Sequence, residues 1–248
     1  MDLTPSPEAY AVLDQVRQLF EQDILPRNRE MIRSTKQDGE LDPPFLDELR
    51  AKAKSLNLWN MAHTDLTEGQ PGLSMSNLDY SIVAELLGRV FWSSKVFNCQ
   101  WPDVPNMVAL QRYATEEKKE KWLKPLLDGD CQSAFAMTEP GAASSDAKNI
   151  AATITPDGDD YIVDGQKWYI TGGGHNRCQF YLFLGLSNPD AAQNRRHSVI
   201  LVPRETTGVT VGGTNAFFGY SEPNGPASEI KFDQVRVPKE NLLGELGE

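Results

Sequence analysis

Two short segments carry residue types that could do chemistry. The first, Thr138-Glu139-Pro140-Gly141-Ala142-Ala143-Ser144-Ser145-Asp146, directly follows the apolar run Ser133–Met137. Small residues let a backbone approach a flat or phosphorylated ligand closely, and hydroxyls with free amides supply donors without net charge. The same composition also describes a strand-to-loop turn whose Ser and Asp satisfy their own backbone. The second segment is Gln166-Lys167-Trp168-Tyr169-Ile170-Thr171-Gly172-Gly173-Gly174. Its paired aromatics could pave a planar cofactor, and its glycines could then turn the chain sharply. An alternating strand with one ring in the core and a flexible end fits equally well. Neither segment is a GxGxxG opening a helix or a Walker-type phosphate loop, so nucleotide binding of those kinds is not indicated. A third run, Asn98–Asn106, holds Trp101, Pro102 and Pro105 with few charges, and could line a pocket or simply pack as a connection.

Other chemistries find less support. His63, His175 and His197 lack metal-ligand spacing, so no metal site is expected. Cys99, Cys131 and Cys178 are odd in number and far apart, which favours a reducing compartment over a disulfide framework. No Ser/His/Asp arrangement can be placed from spacing, and 35 acidic residues leave candidate bases anonymous. A net charge of −11 and a pI near 4.8 argue against nucleic acid, and runs such as Glu116–Lys121 read as solvated helix faces. The first 25 residues hold five acids against Arg17 alone, unlike a secretory signal or transit peptide, so the protein is expected not to be secreted. No stretch approaches the roughly 20 apolar residues of a membrane span.

The elements that must position these segments change type near residue 130. Five of 19 glycines precede Cys131 and fourteen follow it. Before that point the apolar spacing is helical. Ser6 and Pro7 start a helix striped by Val12, Val16, Leu19, Phe20 and Ile24. Asp42-Pro43 starts a second, with Phe45, Leu49 and Leu56. Leu78, Ile82 and Leu86 mark a third, ending near Gly88, and Val104–Tyr113 a fourth. Thr115 opens a fifth through Trp122, bent or ended at Pro125. Beyond Cys131, Ile150–Thr155 and Tyr161–Val163 read as a hairpin about Pro156-Asp157-Gly158-Asp159. Gln179–Leu186, His197–Pro203, Gly208–Gly212 and Ser228–Val237 follow as strands, suggesting a small barrel or sandwich. The plan is α+β: a helical domain over 1–130, then an all-β domain over 131–248.

In their order, these segments resemble the acyl-CoA dehydrogenase family. The carriers are Ala136-Met137-Thr138-Glu139-Pro140 with Ser144-Ser145-Asp146, Tyr161–Lys167 with Ile170-Thr171, Asp233–Gly244, and Glu116–Gly129 with Lys121-Trp122-Leu123. The extra residue before Asp146 and the run Val96–Met107 resemble the branch of members ten and eleven of animals and their bacterial relatives. The resemblance implies an N-terminal helical domain, a middle β-barrel contacting flavin and acyl-CoA, and a cofactor, FAD. It implies α,β-dehydrogenation of an acyl-CoA in fatty acid β-oxidation, with the β-hydride passing to flavin N5. Phe135, Met137, Thr138, Ser144, Ser145, Tyr169, Ile170 and Thr171 would contact the cofactor, and Ser145 also the substrate. Tyr169 stands where most members have Trp. Electron-transfer flavoprotein is the implied acceptor, a homo-oligomer the implied assembly, and a bacterial cytoplasm or an organelle matrix the implied location. The family's base lies in a third, helical domain that is expected to begin where this chain stops, so no catalytic residue is assigned; Glu245 and Glu248 are not taken as bases. On that expectation the chain is truncated and inactive alone, and the alternative is a non-catalytic remnant that binds acyl-CoA or a partner.

Overall fold

The computed structural model describes residues 3–35, 41–215 and 227–247. The chain forms two compact units, Met1–Val108 with Leu127–Gly129, and Ala109–Leu126 with Asp130–Glu248.

The first unit is helical. α1 (Pro7–Leu19) begins as its cap residues dictate: Ser6 is extended and its hydroxyl accepts from the Ala9 amide. Asp79 in turn accepts from the Ser6 amide at 2.8 Å. The apolar stripe continues through a π-turn at Phe20–Ile24, a 3₁₀ turn at Leu25–Arg27 and α2 (Asn28–Arg33). α3 (Pro44–Ser55) starts one residue later than Asp42-Pro43 suggests, because the Asp42 carboxylate is bound to buried Lys95 and Arg50 and does not cap. α4 (Asn77–Leu87) is capped by Ser76 and ends at Gly88. Its inward face is Val83, Leu86 and Leu87, whereas Leu78 is exposed, as is Leu56 after α3. Both leucines sit at element ends, where periodicity loses its register. Val16, Phe20, Ile24, Leu46, Met61, Val83 and Phe97 are completely buried in one cluster.

α5 (Asp103–Tyr113) leads to the last helical stretch, α6 (Glu116–Lys118), a π-turn (Lys119–Leu123) and α7 (Lys124–Asp128). Pro125 has no amide to donate and its ring would clash with an ideal preceding turn; the i→i+5 turn widens the helix there, and the chain continues as α7.

The second unit is built on eight strands: β1 (Gln132–Ala136), β2 (Thr153–Asp157), β3 (Asp160–Ile170), β4 (Cys178–Leu186), β5 (His197–Pro203), β6 (Val209–Asn215), β7 (Ala227–Pro238) and β8 (Leu242–Leu243). They form one sheet in the order β6-β7-β3-β2-β4-β5-β8, with β1 parallel beside β4. The hairpin turns on two residues, Gly158 and Asp159, with Gly158 at φ 61°; Pro156 and Asp157 remain in β2, and Ile150–Ala152 precede it. β4 and β7 are three positions apart, which in a flat sheet is roughly 14 Å. Yet Phe183 meets Phe232 with ring centroids 4.8 Å apart, and Tyr181 meets Phe232 at 5.7 Å. The sheet therefore curls over a core that also holds Ala134, Ile154, Val163, Ile200 and Val235. On the opposite face of β4, Phe180 packs edge-on against Trp122 at 5.2 Å.

Candidate functional site

The two motif segments meet. The Trp168 amide donates to the Thr138 carbonyl at 2.9 Å, so the chain beyond β1 runs against the end of β3. One residue before it, the Lys167 ammonium donates to the Met137 carbonyl at 2.9 Å, the Leu184 carbonyl at 2.7 Å and the Glu139 carboxylate at 2.8 Å. That carboxylate also accepts from the amides of Ala151 and Ala152, both at 2.9 Å. Lys167 is fully buried, and its ammonium lies 4.7 Å from the Phe183 ring centroid. Burial lowers its pKa to about 8 against the opposing pull of Glu139. Burial alone would raise the Glu139 pKa, but Lys167 and the two amides outweigh it and leave it below the ordinary value. Sequence reasoning missed this pair. The signal was there: Tyr161, Val163, Gly165 and Lys167 share one face of β3, and Tyr161 and Val163 are core residues.

Tyr169 stands at a break in β3. Lys167 pairs with Ile230 and Ile170 with Ser228, so two residues of β3 oppose one of β7. This is a β-bulge, and Tyr169 takes the left-handed φ of 50°. Its amide donates to the Asn215 side chain at 3.3 Å and its ring packs edge-on against Trp168 at 5.1 Å. A left-handed aromatic is costly and persists only where its surroundings impose it. The bulge turns Tyr169 outward to 39% exposure and returns Ile170 to the core.

Ile170 therefore has only backbone to offer a ligand. Thr138, Met137 and Thr171 are half-buried, as is Phe135, which pairs with Leu182 on the side of β1 opposite the core residues Ala134 and Ala136. Neither threonine hydroxyl is engaged by another described residue. The turn after Ile170 is pinned from below. The Tyr181 hydroxyl donates to the Gly173 carbonyl at 3.1 Å, and Arg204 donates to the His175 carbonyl.

Within the Thr138–Asp146 loop the two serines differ. Ser144 is buried; its hydroxyl accepts from the Glu139 amide at 2.8 Å and donates to the Ala142 carbonyl at 3.1 Å, so it shapes the loop. Ser145 is exposed. Asp146 caps a short turn by accepting from the Lys148 amide. Beside the loop lies an open cleft of about 280 Å³ lined by Glu139, Gly141, Ala152, Thr153, Gly165 and Gln166, among others.

Elsewhere, Asn98 takes a left-handed φ and joins Asn60, Gln100 and Asp103 in a buried hydrogen-bond network, so the run singled out at Asn98–Asn106 packs as a polar connection. Among the described residues no group of His, Cys, Asp and Glu is arranged to hold a metal, and no helix is long and apolar enough to cross a membrane. Glu245 is exposed after β8, and Glu248 lies outside the described residues.

Residues 6–130 match the family model of the acyl-CoA dehydrogenase N-terminal domain, and residues 134–235 that of the middle domain. Among curated relatives, FadE2 of Mycobacterium tuberculosis, named as an acyl-CoA dehydrogenase, is 44% identical over 83% of this chain and 49% of its own length. Acyl-CoA dehydrogenase family member 10 of Mus musculus is 39% identical over 96% of this chain and 22% of its own length. A solved structure from Mycobacterium abscessus, described as an acyl-CoA dehydrogenase, superposes with a TM-score of 0.90 at 38% identity, covering 98% of this chain and 62% of the other. The chain thus spans less than half the length of these curated relatives.

Proposed function

The chain belongs to the acyl-CoA dehydrogenase family, a family of oxidoreductases of fatty acid metabolism, and from that premise we propose that it serves FAD-dependent α,β-dehydrogenation of an acyl-CoA thioester. The observation that carries the proposal is the Trp168–Thr138 backbone bond, which sets the two motif segments side by side.

The donor set suits a flavin ring. Thr138 and Thr171 offer neutral hydroxyls, Tyr169 an outward aromatic face, and Phe135 and Met137 half-buried apolar surface. When bound, FAD would supply the hydride acceptor. Neutral donors suit that role because they stabilise the negative charge that develops on an acceptor as it takes up hydride. Ile170 would contribute backbone only. Ser144 would hold the loop in shape, while Ser145 would offer its exposed hydroxyl to the cofactor's pyrophosphate or to acyl-CoA. No residue of this chain is assigned as the base that takes the α-proton. Electron-transfer flavoprotein as acceptor, and a homo-oligomer as the working assembly, complete the reading.

Affinity for FAD tests it. Thr138→Ala and Thr171→Val should each weaken FAD binding by roughly tenfold, the equivalent of one hydrogen bond. Wild-type affinity in both variants, measured by quenching of flavin fluorescence, would count against the assignment.

A further inference from the structure

Lys167 and Glu139 carry no role in the reading above, yet they form an ion pair buried within the β-rich unit. An ammonium has three protons, and the three acceptors of Lys167 come from three places: the end of β1 (Met137), the loop (Glu139) and β4 (Leu184). Glu139 carries the linkage to the approach of β2 through Ala151 and Ala152. Around Thr138 and Trp168-Tyr169, then, β1, β2, β4 and the loop are all tied, directly or through Glu139, to one side chain of β3.

A buried ion pair is a poor source of net stability, because desolvating both charges offsets their attraction. What it does supply is direction. Each bond has a preferred length and angle, where an apolar contact tolerates sliding. The residues it ties are immediate neighbours of the candidate ligand contacts. Lys167 precedes the bulge that turns Tyr169 outward, and Glu139 follows Thr138. We propose that Lys167 is a positioning residue, which through Glu139 and the Met137 and Leu184 carbonyls holds Thr138 at the distance from Trp168-Tyr169 that the cofactor meets. The part of this that concerns FAD rests on the flavin reading; the part that concerns the backbone does not.

Amide hydrogen exchange on the full chain tests the backbone part, and FAD titration tests the rest. In Lys167→Met, protection of the amides of Trp168, Ala151 and Ala152 should fall by roughly tenfold or more, with FAD affinity falling by a similar factor. The β4–β5 ladder from Phe180 to Phe183, away from the Lys167 acceptor Leu184 and from Leu186, whose amide bonds to Ala152, should keep its protection. Lys167→Arg, which retains charge and donors, should restore most of both. Unchanged protection at the three amides overturns the proposal, and so does an equal loss across the whole sheet, which marks a generic core residue. Should Lys167→Met fail to fold, Lys167→Arg decides: retained protection supports the proposal, while a folded Arg variant that has lost it overturns it. Wild-type protection as expected without any FAD binding would sink the flavin reading and leave the positioning of Thr138 against Trp168 in place.

Discussion

Glu139→Ala removes the acid of the buried pair, and its cost can be worked from the structure. The Lys167 pKa of about 8 lies below the ordinary lysine value of 10.5. That difference already represents about 3 kcal/mol of unfavourable burial of the ammonium. Without Glu139 the value falls further, but the penalty has a ceiling. Once the pKa drops below the working pH the lysine is neutral, and at pH 7 neutralising it costs about 5 kcal/mol in all. The charge therefore adds ~1–2 kcal/mol. The amides of Ala151 and Ala152 lose their acceptor, at ~1–3 kcal/mol each. Ala151 is exposed, so water can reach its amide and the lower end applies there, whereas Ala152 is buried and takes the full range. The total is ~3–6 kcal/mol at pH 7, or a fall of roughly 10–20 °C in Tm for a unit of this size. The charge part has a signature. At about pH 9.5 Lys167 is neutral in both native proteins, so the deficit should shrink by that ~1–2 kcal/mol, leaving the amides. Thermal and urea unfolding followed by far-UV circular dichroism at the two pH values measures both. A variant that melts within a degree of wild type at pH 7, or a deficit that does not change with pH, would show that Glu139 does not offset the buried Lys167 charge.

Other expectations follow from single features. Glu139 has a folded pKa below its ordinary 4.5, so the stability it contributes is present above that value and is lost as pH falls through the lower folded one; the acid limb of stability in urea melts should be shallower in Glu139→Ala. Gly165→Ala should lower stability by at least ~2 kcal/mol, since φ is 145° and a Cβ would lie 2.4 Å from the Ala152 Cβ; an unchanged urea midpoint would contradict this. Ser6→Ala should cost ~1 kcal/mol through loss of the α1 cap, read from the same melts. Tyr169→Gly relieves the left-handed φ, so stability should stay within ~1 kcal/mol of wild type while FAD affinity falls by roughly tenfold. Loss of both, or of neither, would show that Tyr169 is not the outward-facing ligand contact described.

What the sequence made legible was what local chemistry decides. β5 (His197–Pro203) and the start of α1 at Pro7 have the bounds that β-branched runs and a Ser-Pro cap announce. The π-turns at Phe20–Ile24 and Lys119–Leu123 were not legible, because an i→i+5 bond leaves no apolar period of its own, although Pro125 did mark an irregularity near the second. The bulge at Trp168-Tyr169 had no signal either. Nothing local marks a tyrosine for the left-handed region, and the mismatch exists only once β3 is paired with β7. Ser144 entered as a cofactor contact through the resemblance alone; that its hydroxyl accepts from the Glu139 amide and donates to the Ala142 carbonyl had no signal in the sequence. The Lys167–Glu139 pair could have been inferred from strand parity, which puts a lysine on a buried face and so demands an acid nearby.

In the proposed function this chain meets FAD at Thr138, Tyr169 and Thr171. Isothermal titration of the purified full chain with FAD tests it most directly, with Tyr169→Ala alongside. Saturable binding of one FAD per chain is expected, weakened by roughly tenfold in the variant. Absence of any heat of binding or flavin-fluorescence quenching at saturating FAD, or equal affinity in the two proteins, would contradict it.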